Sequence, residues 1–279
     1  MTRAVGLSTN PRPNPPADVW ASGDAYEPYV GRWSRLVARD FLSWLATPPG
    51  ATWLDVGCGT GALTGEILRA AGPAHLHAVD ASAEYVLFAR GRVRDRRATF
   101  AVADARALPQ PAGSVDVVVS GLALNFIPQP DVAVAEMARV AHAGGVVAAY
   151  VWDYAEGMQL IRLFWDAAVA LDPTAAELDE ARRFPLCRPA PLEALLRGAG
   201  LERVESRAID VPTRFADFDD VWAPFLGGQG PAPGYLMGLP AERRAALRER
   251  LRAALPLAAD GSIDLVARAW AVRGTGRRA

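Results

Sequence analysis

Trp53-Leu54-Asp55-Val56-Gly57-Cys58-Gly59-Thr60-Gly61-Ala62-Leu63-Thr64 decides the fold of this chain. The apolar run from Thr52 to Val56 halts at Gly57 and reads as a buried first strand. Gly59 to Ala71 then has the pattern of a helix, so three glycines at alternate positions sit where a strand turns into a helix. Without Cβ atoms, that backbone can come close to a ligand. Glycine at 25 of 279 residues makes such a triplet a chance event roughly 0.2 times per chain, and an aspartate two residues ahead of it lowers this to roughly 0.01. The bland alternative is a glycine turn that serves only tight strand-to-helix packing.

Upstream, Leu36, Val37, Phe41, Leu42 and Leu45 recur at helical spacing until Pro48, Pro49 and Gly50 break the pattern. Downstream, strands read at Leu76 to Val79, Thr99 to Val102, Val115 to Ser120 and Val146 to Trp152, with a helix from Ala83 to Arg90. Helices follow at Gln159 to Leu171 and Pro191 to Gly200, and the final strands at Val204 to Val211 and Ile263 to Val272. Strand and helix alternate, which predicts a mostly parallel sheet covered on both faces, with ligands beyond the carboxyl ends of its strands.

The composition bounds the function. Apolar residues make up 51% and charged residues 22%, the balance of a globular chain and not of a disordered one. A net charge of −1 supplies no basic field for phosphate backbones, so nucleic acid is not expected as a partner. All 30 basic residues are arginine, a bias that fits the Ala, Gly and Pro richness. Cys58 and Cys187 are too few for a disulfide framework and have no metal-ligand spacing, which predicts a cytoplasmic protein without a metal. Residues 1–20 contain Pro11, Pro13, Pro15 and Pro16 and read as a flexible leader; no run is apolar enough for a membrane span. Residues 21–279 read as one domain, monomeric or homodimeric.

Asp55-Val56-Gly57-Cys58-Gly59-Thr60-Gly61 resembles the first motif of the class I S-adenosylmethionine-dependent methyltransferases. Further landmarks follow in the family's order: Asp80 in Ala78-Val79-Asp80-Ala81-Ser82, 19 residues after Gly61; Ala103-Asp104-Ala105; Ser114 to Ser120; and the turn Ala143-Gly144-Gly145. The resemblance implies a doubly wound, Rossmann-like α/β sheet of seven strands, the last antiparallel, with S-adenosylmethionine as cofactor, S-adenosylhomocysteine as product and a small-molecule methyl acceptor. It implies a cofactor site at Tyr29, Arg32, Asp55, Gly57, Cys58, Gly59, Gly61, Asp80, Ala81, Asp104, Ala105 and Ser120. Asp80 suits two ribose hydroxyls, Asp104 the adenine amine and Asp55 the ammonium. Arg32 suits the cofactor carboxylate, and Tyr29, with Tyr26 nearby, a lid. Cys58 reads as a small packing residue in the loop.

Gly57, Gly59 and Ala62 also satisfy a dinucleotide fingerprint, so a nicotinamide-dependent dehydrogenase is a rival, against which Asp55 stands because it would repel a pyrophosphate. A non-catalytic protein that binds the cofactor for regulation or assembly is the other. The exit of the fourth strand, Gly121 to Pro128, should border the reacting methyl, and Asn125 there replaces the histidine pair of many relatives. Asp153 and Tyr154, at the end of the fifth strand, are candidate bases; they also read as a helix cap and a core aromatic. His142 reads as the end of a helix. The segment 213–259 is an insertion before the last strand, rich in aromatics and carrying a charged helix from Ala241 to Leu255. It is a candidate substrate cap, with Trp222, Gln229 and Tyr235 as candidate acceptor contacts, or else a packing layer.

Overall fold

The computed structural model describes residues 31–227 and 230–277. Tyr26, Tyr29, the Arg32 side chain, Gln229 and the Pro-rich leader lie outside the described residues.

Seven strands form one sheet: β1 (Thr52–Val56), β2 (His75–Asp80), β3 (Ala98–Val102), β4 (Val115–Gly121), β5 (Ala141–Trp152), β6 (Glu202–Phe215) and β7 (Ile263–Thr275), in the order β3-β2-β1-β4-β5-β7-β6. The first five are mutually parallel, and β7 runs antiparallel to both β5 and β6. Their central residues are continuous runs of Val, Leu and Ala. Val117, Val118 and Val119 on β4 and Val147, Ala148 and Ala149 on β5 are buried, as a sheet covered on both faces requires.

The connecting helices are α1 (Arg32–Leu45), α2 (Ala62–Ala70), α3 (Ala83–Arg92), α4 (Pro130–Val140), α5 (Gln159–Leu171), α6 (Glu180–Arg183) and α7 (Pro189–Gly198). Three more, α8 (Phe218–Trp222), α9 (Pro231–Gly238) and α10 (Ala241–Ala254), lie between β6 and β7. Ser82 caps α3, its hydroxyl accepting from the Tyr85 N–H at 3.3 Å. The chain steps outward from β1 to β3 and returns to place β4 on the other side of β1. That reversal opens a crevice at the carboxyl ends of β1 and β4, where such sheets bind ligands.

Several boundaries differ from the sequence expectation. β5 begins at Ala141, so His142 lies in a strand and not at a helix end, and the expected Ala143-Gly144-Gly145 turn lies inside the strand. A shift of register, from Val115 opposite Ala141 to Val117 opposite Val146, absorbs the extra residues. β6 runs to Phe215, so the segment between the last two strands begins after it, where Asp217 caps α8. The helix expected to end at His142 is α4, which ends at Val140; Pro130 occupies its first turn and Gln129, at φ 54°, its N-cap.

Candidate functional site

At the end of β1 the backbone turns through Gly57 at φ 74°, Gly59 at φ 51° and Gly61 at φ 83°. Only glycine adopts this left-handed succession without strain. At Gly57 a Cβ would also stand 2.6 Å from the Cβ of Ala123, so the close approach of the β1 and β4 exits requires the missing side chain. The Gly57 and Cys58 N–H groups donate to the Val79 carbonyl at 2.8 and 3.0 Å, pinning the loop to the end of β2.

Above this turn lies a cavity of about 480 Å³. Asp55, Gly57, Cys58, Gly59, Asp80, Ala81, Asp104 and Ala105 line it, so eight of the expected cofactor residues, drawn from three strand ends, share one wall. Asp55 is fully buried. Its Oδ2 accepts from the Thr64 hydroxyl at 2.6 Å, whereas Oδ1 has no hydrogen-bond partner. Burial pushes its pKa up to about 7, the Thr64 hydrogen bond opposes this and Asp80 adds repulsion. A buried carboxylate oxygen without a partner is costly unless a donor or a cation meets it. Asp80 is held by the Gly59 N–H at 2.9 Å on Oδ2 and the Ser82 N–H at 2.8 Å on Oδ1, and each oxygen keeps acceptor capacity. Burial, with Asp55 and Asp80 nearby, raises the Cys58 thiol pKa, so this sulfur is a packing group and not a nucleophile.

Two expected cofactor residues do not line the cavity. Gly61 is the N-cap of α2 and packs toward Ala89 and Val93 of the neighbouring helix and its end. Ser120 is buried with its hydroxyl unpartnered, one residue before the cavity wall at Gly121. The opposite wall is Gly121, Leu122, Ala123, Phe126, Ile127 and Pro128. Leu122 is held at φ 57°, a conformation that costs a non-glycine residue energy and clusters at functional sites. Asn125 is absent from this wall, and its Nδ2 is buried without a partner.

Neither candidate base lines the cavity. Asp153 is buried in the turn before α5, its Oδ1 accepting from the Glu156 N–H at 3.1 Å. Tyr154 packs on Phe184, which stacks edge-on against the cavity residue Phe126. Trp222 and Tyr235 are also away from the cavity lining. Trp222 stacks on Phe218 with ring centroids 6.2 Å apart, and Tyr235 lies against Trp165 at 5.4 Å. Phe225 stacks on Phe164 of α5 at 4.6 Å. The inserted aromatics Phe225 and Tyr235 pack on α5.

The sequence analysis did not single out Tyr85, Arg106 or Tyr150, all cavity residues. Tyr150 was legible in principle, since it pairs with Gly121 across β4 and β5 and so shares the carboxyl edge of the sheet. Among the described residues no cluster of three His, Cys, Asp or Glu suits a metal, and no helix is long and apolar enough to cross a membrane.

The profile of a methyltransferase-domain family matches residues 54–149. The chain is 31% identical over 181 residues to demethylmenaquinone methyltransferase of Roseiflexus sp., covering 59% of this chain and 74% of that one. It is 32% identical over 189 residues to 2-methyl-6-phytyl-1,4-hydroquinone methyltransferase of Synechocystis sp., covering 66% of this chain but 57% of that one. For the malonyl-[acyl-carrier protein] O-methyltransferase of Hahella chejuensis the match spans 33% of either chain. In fold it is similar to the YcgJ protein of Bacillus subtilis, with a TM-score of 0.57 at 17% identity, over 88% of this chain and 99% of that one. The [4+2]-cyclase SpnF has a TM-score of 0.56 at 20% identity, over 88% of this chain and 81% of that one, so the fold alone does not fix the reaction. The chain belongs to the class I S-adenosylmethionine-dependent methyltransferases.

Proposed function

We propose that this protein transfers a methyl group from S-adenosylmethionine to a small, largely apolar acceptor. The observation that carries the reading is Asp55, a fully buried carboxylate with one oxygen unpartnered at the floor of a cavity beside the glycine turn. That oxygen fits the ammonium of an amino-acid moiety and does not fit a pyrophosphate, which disfavours a dinucleotide cofactor. Asp80 would hold the ribose hydroxyls and Asp104 the adenine, and the backbone of Gly57 to Gly59, which lines the same cavity, would pack against the cofactor. When bound, S-adenosylmethionine supplies an electrophilic methyl on a sulfonium.

The chain's own part is to align and to dry. Leu122, Ala123, Phe126, Ile127 and Pro128 present an apolar wall with no ionisable side chain, suited to an acceptor ring or hydrocarbon surface. Relatives named for hydroquinone and menaquinone substrates support an acceptor of that character. No histidine lines the cavity among the described residues, which favours catalysis by alignment of acceptor and methyl over removal of a proton by the enzyme.

Calorimetry with S-adenosylmethionine, followed by an isotopically labelled methyl donor and a panel of hydroquinones and extract metabolites, tests the reading. Labelled product with an apolar acceptor is expected. Micromolar cofactor binding without turnover of any acceptor would favour the binding-protein alternative, and tighter binding of NAD would remove the cofactor assignment.

A further inference from the structure

Asp104 and Arg106 stand two residues apart in the loop after β3, and both line the cavity. The Asp104 carboxylate is engaged in an unusually complete way. Oδ1 accepts from the Arg106 backbone N–H at 2.9 Å and from Nε at 3.0 Å; Oδ2 accepts from Nη2 at 2.6 Å and, more weakly, from Nε at 3.1 Å. The remaining arm of the guanidinium, Nη1, donates to Gln129 Oε1 at 3.1 Å. Gln129 is the left-handed N-cap of α4, directly after the Leu122 to Pro128 wall. Arg106 therefore bridges the loop after β3 to the loop after β4 across the cavity mouth.

As a stability device this arrangement is weak. The two side chains are 46% and 37% exposed, and ion pairs so exposed contribute little to folding. Its geometric consequence is larger. A carboxylate offers about four lone-pair sites. Three donors, the Arg106 backbone N–H, the Nη2–H and an Nε–H shared between both oxygens, leave one acceptor site for a further donor. An aspartate so exposed would otherwise rotate among several rotamers, and ordering it on binding would cost affinity.

We propose that Arg106 is a positioning residue that sets the cofactor-base preference of the site, by fixing Asp104 so that its remaining acceptor site meets the exocyclic amine of adenine. This rests on the cofactor reading above. Neither Arg106 nor Gln129 touches reacting atoms; the arginine acts through Asp104, and Gln129 fixes the arginine. A lysine at 106 would supply charge without the fork that grips both oxygens.

The test compares two thioethers that differ at one position of the base: S-adenosylhomocysteine and its deaminated analogue S-inosylhomocysteine, in which a carbonyl replaces the amine. Calorimetry on the full chain gives the ratio of dissociation constants for the parent protein, Arg106→Ala and Arg106→Lys, with circular dichroism confirming that each is folded. The parent should prefer the adenine form about 10- to 100-fold, the worth of one hydrogen bond to a charged group. Arg106→Ala should reduce that preference about 3- to 10-fold, as expected for loss of an exposed orienting pair, and Arg106→Lys should leave most of the reduction in place. An unchanged ratio in Arg106→Ala, or full restoration by lysine, overturns the role of Arg106. A parent protein that binds both thioethers equally overturns the Asp104 assignment beneath it, and one that binds neither overturns the cofactor reading itself.

Discussion

The carboxyl edge of the sheet and the aromatic layer on α5 are built on opposite principles. At the sheet edge, backbone is forced into left-handed conformations at Gly57, Gly59 and Leu122, a buried carboxylate oxygen goes unpartnered at Asp55, and a cavity opens beside them. In the layer, Phe164, Phe225, Trp165, Tyr235 and Trp222 meet ring against ring, and the Trp165 indole N–H donates to the buried Glu180 carboxylate. None of these layer residues lines the cavity. Clustered aromatics in the inserted segment thus pack ring on ring, whereas strain and unsatisfied polarity gather around the cavity.

The sharpest way to break this contrast is to truncate the layer. Phe225→Ala and Trp222→Ala each remove a buried aromatic and should lower stability by about 3 to 5 kcal/mol. Denaturant melts measure this, and cofactor affinity of the protein that remains folded should be nearly unchanged. A variant of normal stability with weakened acceptor binding would instead make the segment a cap.

Gly57→Ala should cost less, about 2 kcal/mol of stability, from the left-handed backbone and the 2.6 Å approach to Ala123, but it should abolish measurable cofactor binding because the turn cannot keep its shape. Asp80→Ala comes next. It releases the Gly59 and Ser82 N–H groups, for about 1 kcal/mol of stability, and should weaken S-adenosylmethionine binding by about 1.5 to 3 kcal/mol. Calorimetry at matched folded fraction separates the two effects. Unchanged affinity would remove Asp80 from the ribose assignment.

How much of this was legible follows from where each signal lives. The glycine turn, Asp80 and Asp104 were readable because close backbone approach and strand-end position leave local marks: Gly at 57, 59 and 61, and Asp after an apolar run. The doubly wound sheet of seven strands with an antiparallel last strand followed from the alternation of strands and helices together with the family resemblance. Tyr150 escaped because its place depends on pairing with Gly121, 29 residues away, and Arg106 because an arginine beside an aspartate reads as a solvated surface pair. The start of β5 was misplaced because Gly144 and Gly145 read as a turn, whereas a register shift against β4 keeps them in the strand. The site of Trp222 and Tyr235 depended on tertiary packing against α5, which no local pattern encodes.

Each region holds a fully buried acid whose pKa is raised, and their titrations give the finest test of the comparison. Burial pushes Asp55 up to about 7 and Glu180 up to about 8, the latter opposed by hydrogen bonds from the backbone and from Trp165. A folded-state pKa above the unfolded value means that the folded chain holds its proton more tightly. The stabilisation is therefore complete below the ordinary carboxylate range near pH 4 and is lost as the pH rises through about 7 for Asp55 and about 8 for Glu180. Melts of the cofactor-free protein should show stability falling across that window, with Asp55→Asn and Glu180→Gln each flattening part of the slope. Ligand binding separates the two acids. If the unpartnered oxygen of Asp55 receives the ammonium of S-adenosylhomocysteine, binding favours the ionised carboxylate, so affinity should rise from pH 5 to pH 7 and protons should be released on binding. Glu180→Gln should keep that rise, because neither it nor the rings around it line the cavity, and Asp55→Asn should lose it along with part of the affinity. A rise that survives in Asp55→Asn would assign the ammonium to another group, and one that disappears in Glu180→Gln would show that the layer on α5 is coupled to the cavity after all.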